Sequence, residues 1–209
     1  MNNKLSILTA ALLLTGASSA FAASSTDLTV KGLITPSACT PTLSSGGIVD
    51  HGKISAKDLR PNNYTDLPRI TLQMNMNCDA PTTYALNGID NRESSAPSSI
   101  SYGLGLINNT QKIGMFYLQF LNAVADGVGT EPLESSDNGL TWIDSADAIW
   151  PRQRLAGFGD QSSGAWYPQA IKDLTTDLIV ITAIAPARGL DLTNEVTIDG
   201  SATLEVKYL

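Results

Sequence analysis

The stretch Ile70-Thr71-Leu72-Gln73-Met74-Asn75-Met76-Asn77-Cys78 alternates strictly between apolar and polar residues. Successive side chains of a strand point to opposite faces, so this period of two predicts a strand with one buried and one solvated face. Residues 84–89 predict another strand, which ends at a polar cluster. The chain is therefore rich in strand signals at its centre.

Further strands are predicted towards the C-terminal half. Residues 112–123 and 178–184 are apolar on both sides, which is typical of central strands covered on both faces. For residues 112–123 periodicity alone also allows a buried helix, and the interrupting Gly114 with its aromatic and β-branched neighbours favours a strand. Residues 200–209 alternate again and end the chain in mid-strand. Short strands, frequent turns and no helical period predict an all-β sandwich.

The connecting segments carry weaker signals. Residues 48–54 predict a short strand, and residues 55–59 a single helical turn. Asn138-Gly139 predicts a hairpin turn ahead of a strand at residues 140–143. Residues 144–172 show no regular period, although aromatic residues are scattered through them.

The N-terminus has the pattern of an export signal. Lys4 supplies a positive charge, residues 5–14 form a short apolar run, and Ala20-Phe21-Ala22 is a small-x-small cleavage site. We therefore assign residues 1–22 to a signal peptide, which leaves 209 − 22 = 187 residues, the size of one domain. No later apolar run is long enough to cross a bilayer, so no transmembrane segment is expected in the mature chain.

Charge and cysteine content limit the function further. The formal net charge is −7 and becomes −8 when Lys4 is removed, which argues against nucleic acid as a partner. Cys39 and Cys78 are the two cysteines of an exported chain, and their spacing is not that of a redox motif. We expect one structural disulfide, which would stabilise the fold by roughly 3–4 kcal/mol.

Catalytic or metal-binding constellations are not apparent. His51 is the single histidine, and we interpret it as a satisfied surface or turn residue rather than a base. Asp137, Asp144 and Asp147 are interpreted as solvated turn formers rather than as the paired carboxylates of a glycosidase. We expect no enzymatic activity, no cofactor and no metal.

An aromatic group around Trp150, Trp166 and Tyr167 has two interpretations. It could face a sugar. A satellite core under a long loop is the favoured alternative.

Residues Leu28-Thr29-Val30-Lys31-Gly32-Leu33-Ile34 form an alternating stretch with an unusual gap. Leu28, Val30, Gly32 and Ile34 share one face of the predicted strand, and Gly32 interrupts their apolar row. Glycine inside a strand often marks the close approach of another backbone or side chain. The stretch is therefore predicted to enter a tight groove.

The order of these features resembles the pilin subunits of bacterial chaperone–usher fimbriae, more narrowly the beta-fimbria type of major subunit. The resemblance is carried by the signal peptide, the alternating residues 28–34, Cys39 soon after them, Cys78 at the end of a later strand, and a final strand with tyrosine second from last. It is strong for residues 28–90 and 178–209, and residues 144–172 have no counterpart in the family pattern.

The resemblance implies an incomplete immunoglobulin-like sandwich that lacks its final strand. Residues 23–37 would be an N-terminal donor-strand extension and residues 38–209 the pilin domain, with Cys39 and Cys78 bridging its first two core strands. The donor residues entering a neighbour's groove would be Leu28, Val30, Gly32 and Ile34. The acceptor groove and chaperone-binding strand would contain Gly200, Ala202, Leu204, Val206 and Tyr208.

The implied partners are a periplasmic pilus chaperone, an outer-membrane usher and neighbouring fimbrial subunits. The implied function is a structural subunit that is exported through the periplasm to the cell-surface fimbrium, polymerises by donor-strand exchange and supports cell adhesion. The alternative is a self-complete soluble periplasmic or surface β-sandwich that recognises a ligand or carbohydrate. In that alternative, residues 28–34 act as an internal strand.

Overall fold

The computed structural model describes residues 29–30, 38–161 and 164–209. The chain divides into two compact units, Met1–Ile34 and Thr35–Leu209. The predicted signal peptide and the predicted donor residues Leu28, Gly32 and Ile34 lie outside the described residues. Val30 is described and is 87% exposed.

The second unit consists of strands joined by turns and short 3-10 segments. Its strands, in chain order, are β1 Cys39–Leu43, β2 Thr65–Asp66, β3 Ile70–Thr82, β4 Tyr84–Asp90, β5 Tyr102–Gly103, β6 Leu106–Ile107, β7 Gln111–Lys112, β8 Gly114–Ala125, β9 Val128–Gly129, β10 Glu131–Ser135, β11 Ile143–Asp144, β12 Leu155–Asp160, β13 Tyr167–Pro168, β14 Ile171–Ile184 and β15 Ala202–Tyr208. The 3-10 segments are Ser44–Gly47, Ala56–Asp58, Glu93–Ser95 and Ala187–Gly189.

The strands form two larger sheets and one small hairpin, and every pairing is antiparallel. The first sheet has the order β1-β3-β14-β8-β5, with β2 added to β14 and β9 to β8. The second has the order β11-β10-β12-β4-β15, with β13 added to β12. The hairpin is formed by β6 and β7. The prediction of an all-β chain is confirmed.

The long strands of the first sheet follow the predicted apolar pattern. In β3 the side chains of Leu72, Met74, Met76 and Cys78 are buried, whereas the intervening polar residues are exposed. Residues 114–123 of the predicted stretch 112–123 are in β8, and residues 178–184 are in β14, so both predicted central strands are confirmed. Gly114 has φ +157°, and a Cβ there would lie 2.2 Å from the Ala183 carbonyl oxygen of the paired strand. The interrupting glycine is thus required by a close backbone contact.

The core is shared between the two sheets. Phe120 of β8 and Phe158 of β12 meet edge to face with their ring centroids 5.3 Å apart, and the ring of Trp150 lies 5.2 Å from that of Phe120. A smaller cluster formed by Ala85, Leu133, Trp142 and Leu155 lies apart from this core, with Trp166 packed against it. The first sheet therefore faces the second across a continuous apolar layer.

Two local predictions are wrong. Residues 48–54 form no strand, because this segment pairs with neither sheet along its length. Residues 144–172, predicted to lack regular structure, contain β12, whose apolar row is interrupted by Gly157 and Gly159. At Gly159 a Cβ would lie 1.9 Å from the Tyr167 carbonyl oxygen, so the close approach of β13 requires glycine at this position. The same glycine interrupts the apolar pattern from which the strand could have been predicted.

The predicted disulfide between Cys39 and Cys78 is present, and the two residues face each other in the β1–β3 register with their Cα atoms 4.0 Å apart. It fastens the edge strand β1 to the interior of the first sheet. Within the described part of the chain, no helix is long and apolar enough to span a membrane.

Candidate binding groove beside the C-terminal strand

Strand β15 is the edge of the second sheet. It pairs with β4 along its whole length, from Ala202 opposite Asp90 to Tyr208 opposite Tyr84. On its other side no strand of the described residues lies beside it. An edge of this kind presents unpaired backbone groups that can receive a further strand.

The inward side chains of β15 are only partly covered. Ala202, Leu204 and Val206 pack against the main core, but each remains half-buried. The corresponding row of β14, including Leu178 and Val180, is buried. The alternating pattern of β15 therefore has apolar side chains that no described strand covers.

A cavity of about 360 Å³ lies beside this row. The first sheet supplies its floor with Leu72, Phe116, Leu118, Leu178 and Val180, and the segment around Val49 forms one wall. The opposite wall is formed by residues 198, 200–202 and 204. The cavity is therefore an apolar groove between the inward face of the first sheet and β15.

A second cavity, of about 600 Å³, continues past the start of β15. Its walls come from residues 49–54 and 190–198, and its floor includes Ile107, Ile113 and Ile184. Val49, His51 and Ile198 line both cavities. These three side chains mark the boundary between the two compartments of the groove.

His51 is a polar side chain on this apolar surface. Its Nε2 atom lies 3.0 Å from the Oγ1 atom of Thr182, which is 2% exposed and belongs to the inward row of β14. Partial burial lowers the pKa of His51, and the neighbouring Asp50 carboxylate opposes this effect. His51 is thus hydrogen-bonded as predicted, and its place in the groove is an unpredicted finding.

Tyr208, the last residue of β15, links the edges of the two sheets. Its hydroxyl oxygen accepts a hydrogen bond of 3.0 Å from the backbone N–H of Cys39. The bond connects β15, at the edge of the second sheet, to β1, at the edge of the first. Because Cys39 is also held to β3 by the disulfide, the end of β15 is connected through Cys39 to the interior of the first sheet.

The predicted groove residues fall into two sets. Gly200, Ala202 and Leu204 line the smaller cavity. Val206 continues the half-buried row, and Tyr208 links β15 to β1. A Cβ on Gly200 would lie 2.8 Å from Leu104 and 3.1 Å from Phe116, so a side chain there would collide with the wall. The groove wall at residues 47–54 was missed because residues 48–54 were interpreted only as a short strand, and residues 190–198 because they have neither a strand nor a helix period.

The other chemical candidates have structural roles. The Asp137 carboxylate accepts hydrogen bonds from the Thr141 hydroxyl and N–H and from the Ser135 hydroxyl, which together lower its pKa to about 2. It organises the turn in which Asn138 and Gly139 have positive φ. Within the part of the chain that the structure describes, no three His, Cys, Asp or Glu residues form a metal-binding group.

The predicted aromatic group is not a single cluster. Trp150 is 2% exposed in the main core, Trp166 packs on the smaller cluster, and Tyr167 is 54% exposed. The satellite core is formed chiefly by Trp142 with Leu133 and Leu155. A shared sugar-binding face of the three predicted residues is therefore not formed.

These features define an all-β, disulfide-linked chain with an apolar groove at the edge of its C-terminal strand. Residues 28–100, which include the predicted donor stretch and both cysteines, match the family described as "Protein of unknown function (DUF1120)". The chain is 31% identical to Protein GltF of Escherichia coli strain K12 over an alignment of 246 positions, which covers 95% of each chain. It is 28% identical to YhcF of the same organism over 230 positions, which cover 92% of this chain and 94% of YhcF. The chain belongs to the family of GltF.

Proposed function

We propose that the protein is a structural subunit of a chaperone–usher fimbria that polymerises by donor-strand exchange and supports cell adhesion. The observation that carries this proposal is the half-buried apolar row of β15 beside a groove with an unpaired strand edge. A strand added there would pair with the backbone of β15 and cover the apolar side chains, a known mode of protein association.

The occupant that best fits the groove is residues 28–34 of a second copy. This stretch has seven residues and β15 also has seven, so each extends over roughly 23 Å at 3.3 Å per residue. The apolar row of residues 28–34 would face the core, and Thr29, Lys31 and Leu33 would face outward. The match in length and alternation supports strand addition between copies.

In this proposal the two-sheet fold is an incomplete immunoglobulin-like sandwich. Strand β1 is the edge of the first sheet and β15 is the edge of the second, and the donor strand closes the gap between them. Before assembly a periplasmic chaperone covers the groove, and at the outer-membrane usher the next subunit replaces it. The predicted signal peptide and the disulfide agree with export through an oxidising compartment.

The first test compares opposite faces of the donor stretch. Val30→Asp places a charge in the apolar row, whereas Thr29→Asp places the same charge on the outward face. We expect Val30→Asp to abolish polymers of the exported chain and Thr29→Asp to leave them, because only the former buries an unpaired carboxylate. Polymer size is measured by sedimentation velocity of surface-extracted material. Equal polymer formation by both variants would contradict the proposal.

The second test removes residues 23–37. The chain without them should still form its disulfide and bind the chaperone, but it should not assemble onto the next subunit. The intact mature chain expressed alone should aggregate and should be rescued by its chaperone. Loss of folding on deletion would identify residues 28–34 as an internal strand and favour the self-complete binding protein.

A further inference from the structure

We propose that Lys31 of one copy pairs with Glu205 of the next, and that this ion pair sets the register in which the donor stretch adds to β15. The inference rests on the proposed function, since it takes residues 28–34 of a second copy as the occupant. It concerns the outward face of the added strand, which the apolar row does not use.

The two seven-residue strands have opposite charges at their centres. Lys31 is the only charged residue of the stretch 28–34, and it is the fourth of its seven residues. Glu205 is the fourth of the seven residues of β15. When two strands of equal length pair over their full length, their central residues lie opposite each other in both the parallel and the antiparallel direction. Full pairing therefore places Lys31 beside Glu205 whichever way the donor strand runs.

Both side chains belong to the solvent-facing row. In β15 the residues Thr203, Glu205 and Lys207 are exposed and alternate with the half-buried apolar row. Lys31 lies in the outward row of the donor stretch. Residues that lie directly opposite each other on neighbouring strands share a face, with their Cβ atoms about 4.5–5.5 Å apart. A lysine and a glutamate at that separation can form an ion pair.

Glu205 is hydrogen-bonded on the side that faces β4. Its Oε2 atom accepts a hydrogen bond of 3.0 Å from the side-chain amide of Asn87, which lies opposite it in the ladder. This bond orients the carboxylate from the paired side of β15. None of the ion pairs between described residues includes Glu205. Its carboxylate can therefore receive a cation from a strand added at the other side of β15.

The charges distinguish registers that the alternation allows. A shift by one residue would turn the apolar row of the donor stretch outwards, but a shift by two keeps it facing the core. A shift by two places Lys31 opposite Thr203 in one direction and opposite Lys207 in the other. The first shift loses the attraction, and the second brings two like charges together, which is unfavourable. The ion pair therefore favours full pairing of the two strands.

The experiment is a competition between two peptides of identical composition. The receptor is the full mature chain carrying Val30→Asp, which disables its own donor stretch and leaves Glu205 unchanged. One peptide has the native sequence of residues 23–37, and the other exchanges two outward residues by Thr29→Lys and Lys31→Thr. The peptides carry different fluorophores, are added in equal excess while the receptor refolds with its disulfide intact, and are quantified in the purified complex. The native peptide should be bound about two- to fivefold more than the exchanged one, as expected for one exposed cross-strand ion pair.

The matched control is Glu205→Gln in the receptor, which removes the charge and retains an acceptor for the Asn87 amide. The two peptides should then bind equally, and about 1 M sodium chloride should also remove the preference of the receptor that retains Glu205. Because both peptides compete for the same receptor molecules, a change in receptor stability does not alter their ratio.

Two results of the competition would overturn the pairing of Lys31 with Glu205. One is equal binding of the peptides to the receptor that retains Glu205, and the other is a preference that persists with Glu205→Gln. Binding of neither peptide would instead contradict the proposed strand addition, and this inference with it.

Disulfide trapping measures the register without changing the ion pair. A peptide with Leu33→Cys is combined with receptors that carry one additional cysteine in or beside β15. In the proposed register it should cross-link with Thr203→Cys if the strands are antiparallel, or with Lys207→Cys if they are parallel. A shift by two residues would instead give cross-linking with Ser201→Cys or Leu209→Cys, and that result would contradict the proposal.

Discussion

Strands β14 and β15 carry similar apolar patterns but have very different surroundings. β14 pairs with β3 on one side and β8 on the other, and its side chains Leu174, Leu178 and Val180 are buried. β15 pairs only with β4 among the described strands, and its row remains half-buried. The difference shows that an apolar row predicts a strand with a buried face, but not whether the chain itself supplies the cover.

The edges of the two sheets differ in a related way. β1 is fastened to β3 by a disulfide and a full ladder, whereas β15 is held to β4 by a full ladder that carries no disulfide. The two edges are linked to each other by the hydrogen bond from Cys39 to Tyr208. Both edges are therefore anchored along their length, and only β1 is also anchored covalently. We expect substitutions to affect these regions unequally.

Removal of the disulfide should have the largest effect. The double substitution Cys39→Ser and Cys78→Ser opens a loop with a sequence separation of 39 residues, which should lower the free energy of unfolding by about 3–4 kcal/mol. Urea denaturation followed by tryptophan fluorescence measures the loss. A change below about 1 kcal/mol would show that β1 is held mainly by its ladder.

A matched pair of leucines tests the comparison directly. Leu178→Ala in β14 should cost about 3 kcal/mol, because it creates a cavity in the closed core. Leu204→Ala in β15 should cost about 1 kcal/mol in the chain measured without a partner, because that side chain is half-buried. The same urea experiment measures both. Equal losses would mean that the groove is covered in the isolated chain.

The hydrogen bond between Tyr208 and Cys39 should contribute less to the free energy of unfolding. Tyr208→Phe removes the hydroxyl that accepts the hydrogen bond from Cys39 and retains the ring, so we expect a loss of about 1 kcal/mol. Hydrogen exchange at the Cys39 amide should become faster at the same time. An unchanged exchange rate would contradict the role of Tyr208 in linking β15 to β1.

The smallest predicted effect depends on pH. The pKa of His51 is lowered in the folded chain, so the unfolded state takes up the proton first as the pH falls. The stability that neutral His51 contributes is therefore present above about pH 6.5, the ordinary pKa of histidine, and is lost below it. Stability should be lower at about pH 5.5 than at about pH 7.5, and His51→Asn should reduce the difference. His51 is the only histidine, which makes this comparison direct. If His51→Asn left the pH dependence unchanged, other titrating groups would be its cause.

Sequence reasoning predicted the parts of the fold that have regular periods. The apolar row in β3 and the apolar runs in β8 and β14 predicted the long strands of the first sheet. The two cysteines predicted the disulfide that joins β1 to β3. β12 was missed because close contacts with β13 and Trp142 require glycine at Gly159 and Gly157. No local pattern records a contact with a residue that is distant in sequence.

The groove was also predicted only in part, because one of its walls has a regular period and the other depends on distant contacts. Ala202, Leu204 and Val206 were identified from their alternation, and they line or border the groove. The opposite wall, residues 47–54, was interpreted only as a short strand, because its side chains are positioned by distant contacts such as that between His51 and Thr182. Such a wall can be identified only from the three-dimensional structure.

Hydrogen exchange of the β15 amides tests the central proposal most directly. In the mature chain with Val30→Asp, measured without a partner, the amides of β15 that point away from β4 should exchange rapidly, while those of β14 remain protected. Addition of the peptide of residues 23–37 should slow these β15 amides by at least about tenfold, since they would gain strand partners. Slow exchange of all β15 amides before addition, with no change after it, would contradict the proposal that the groove receives a strand.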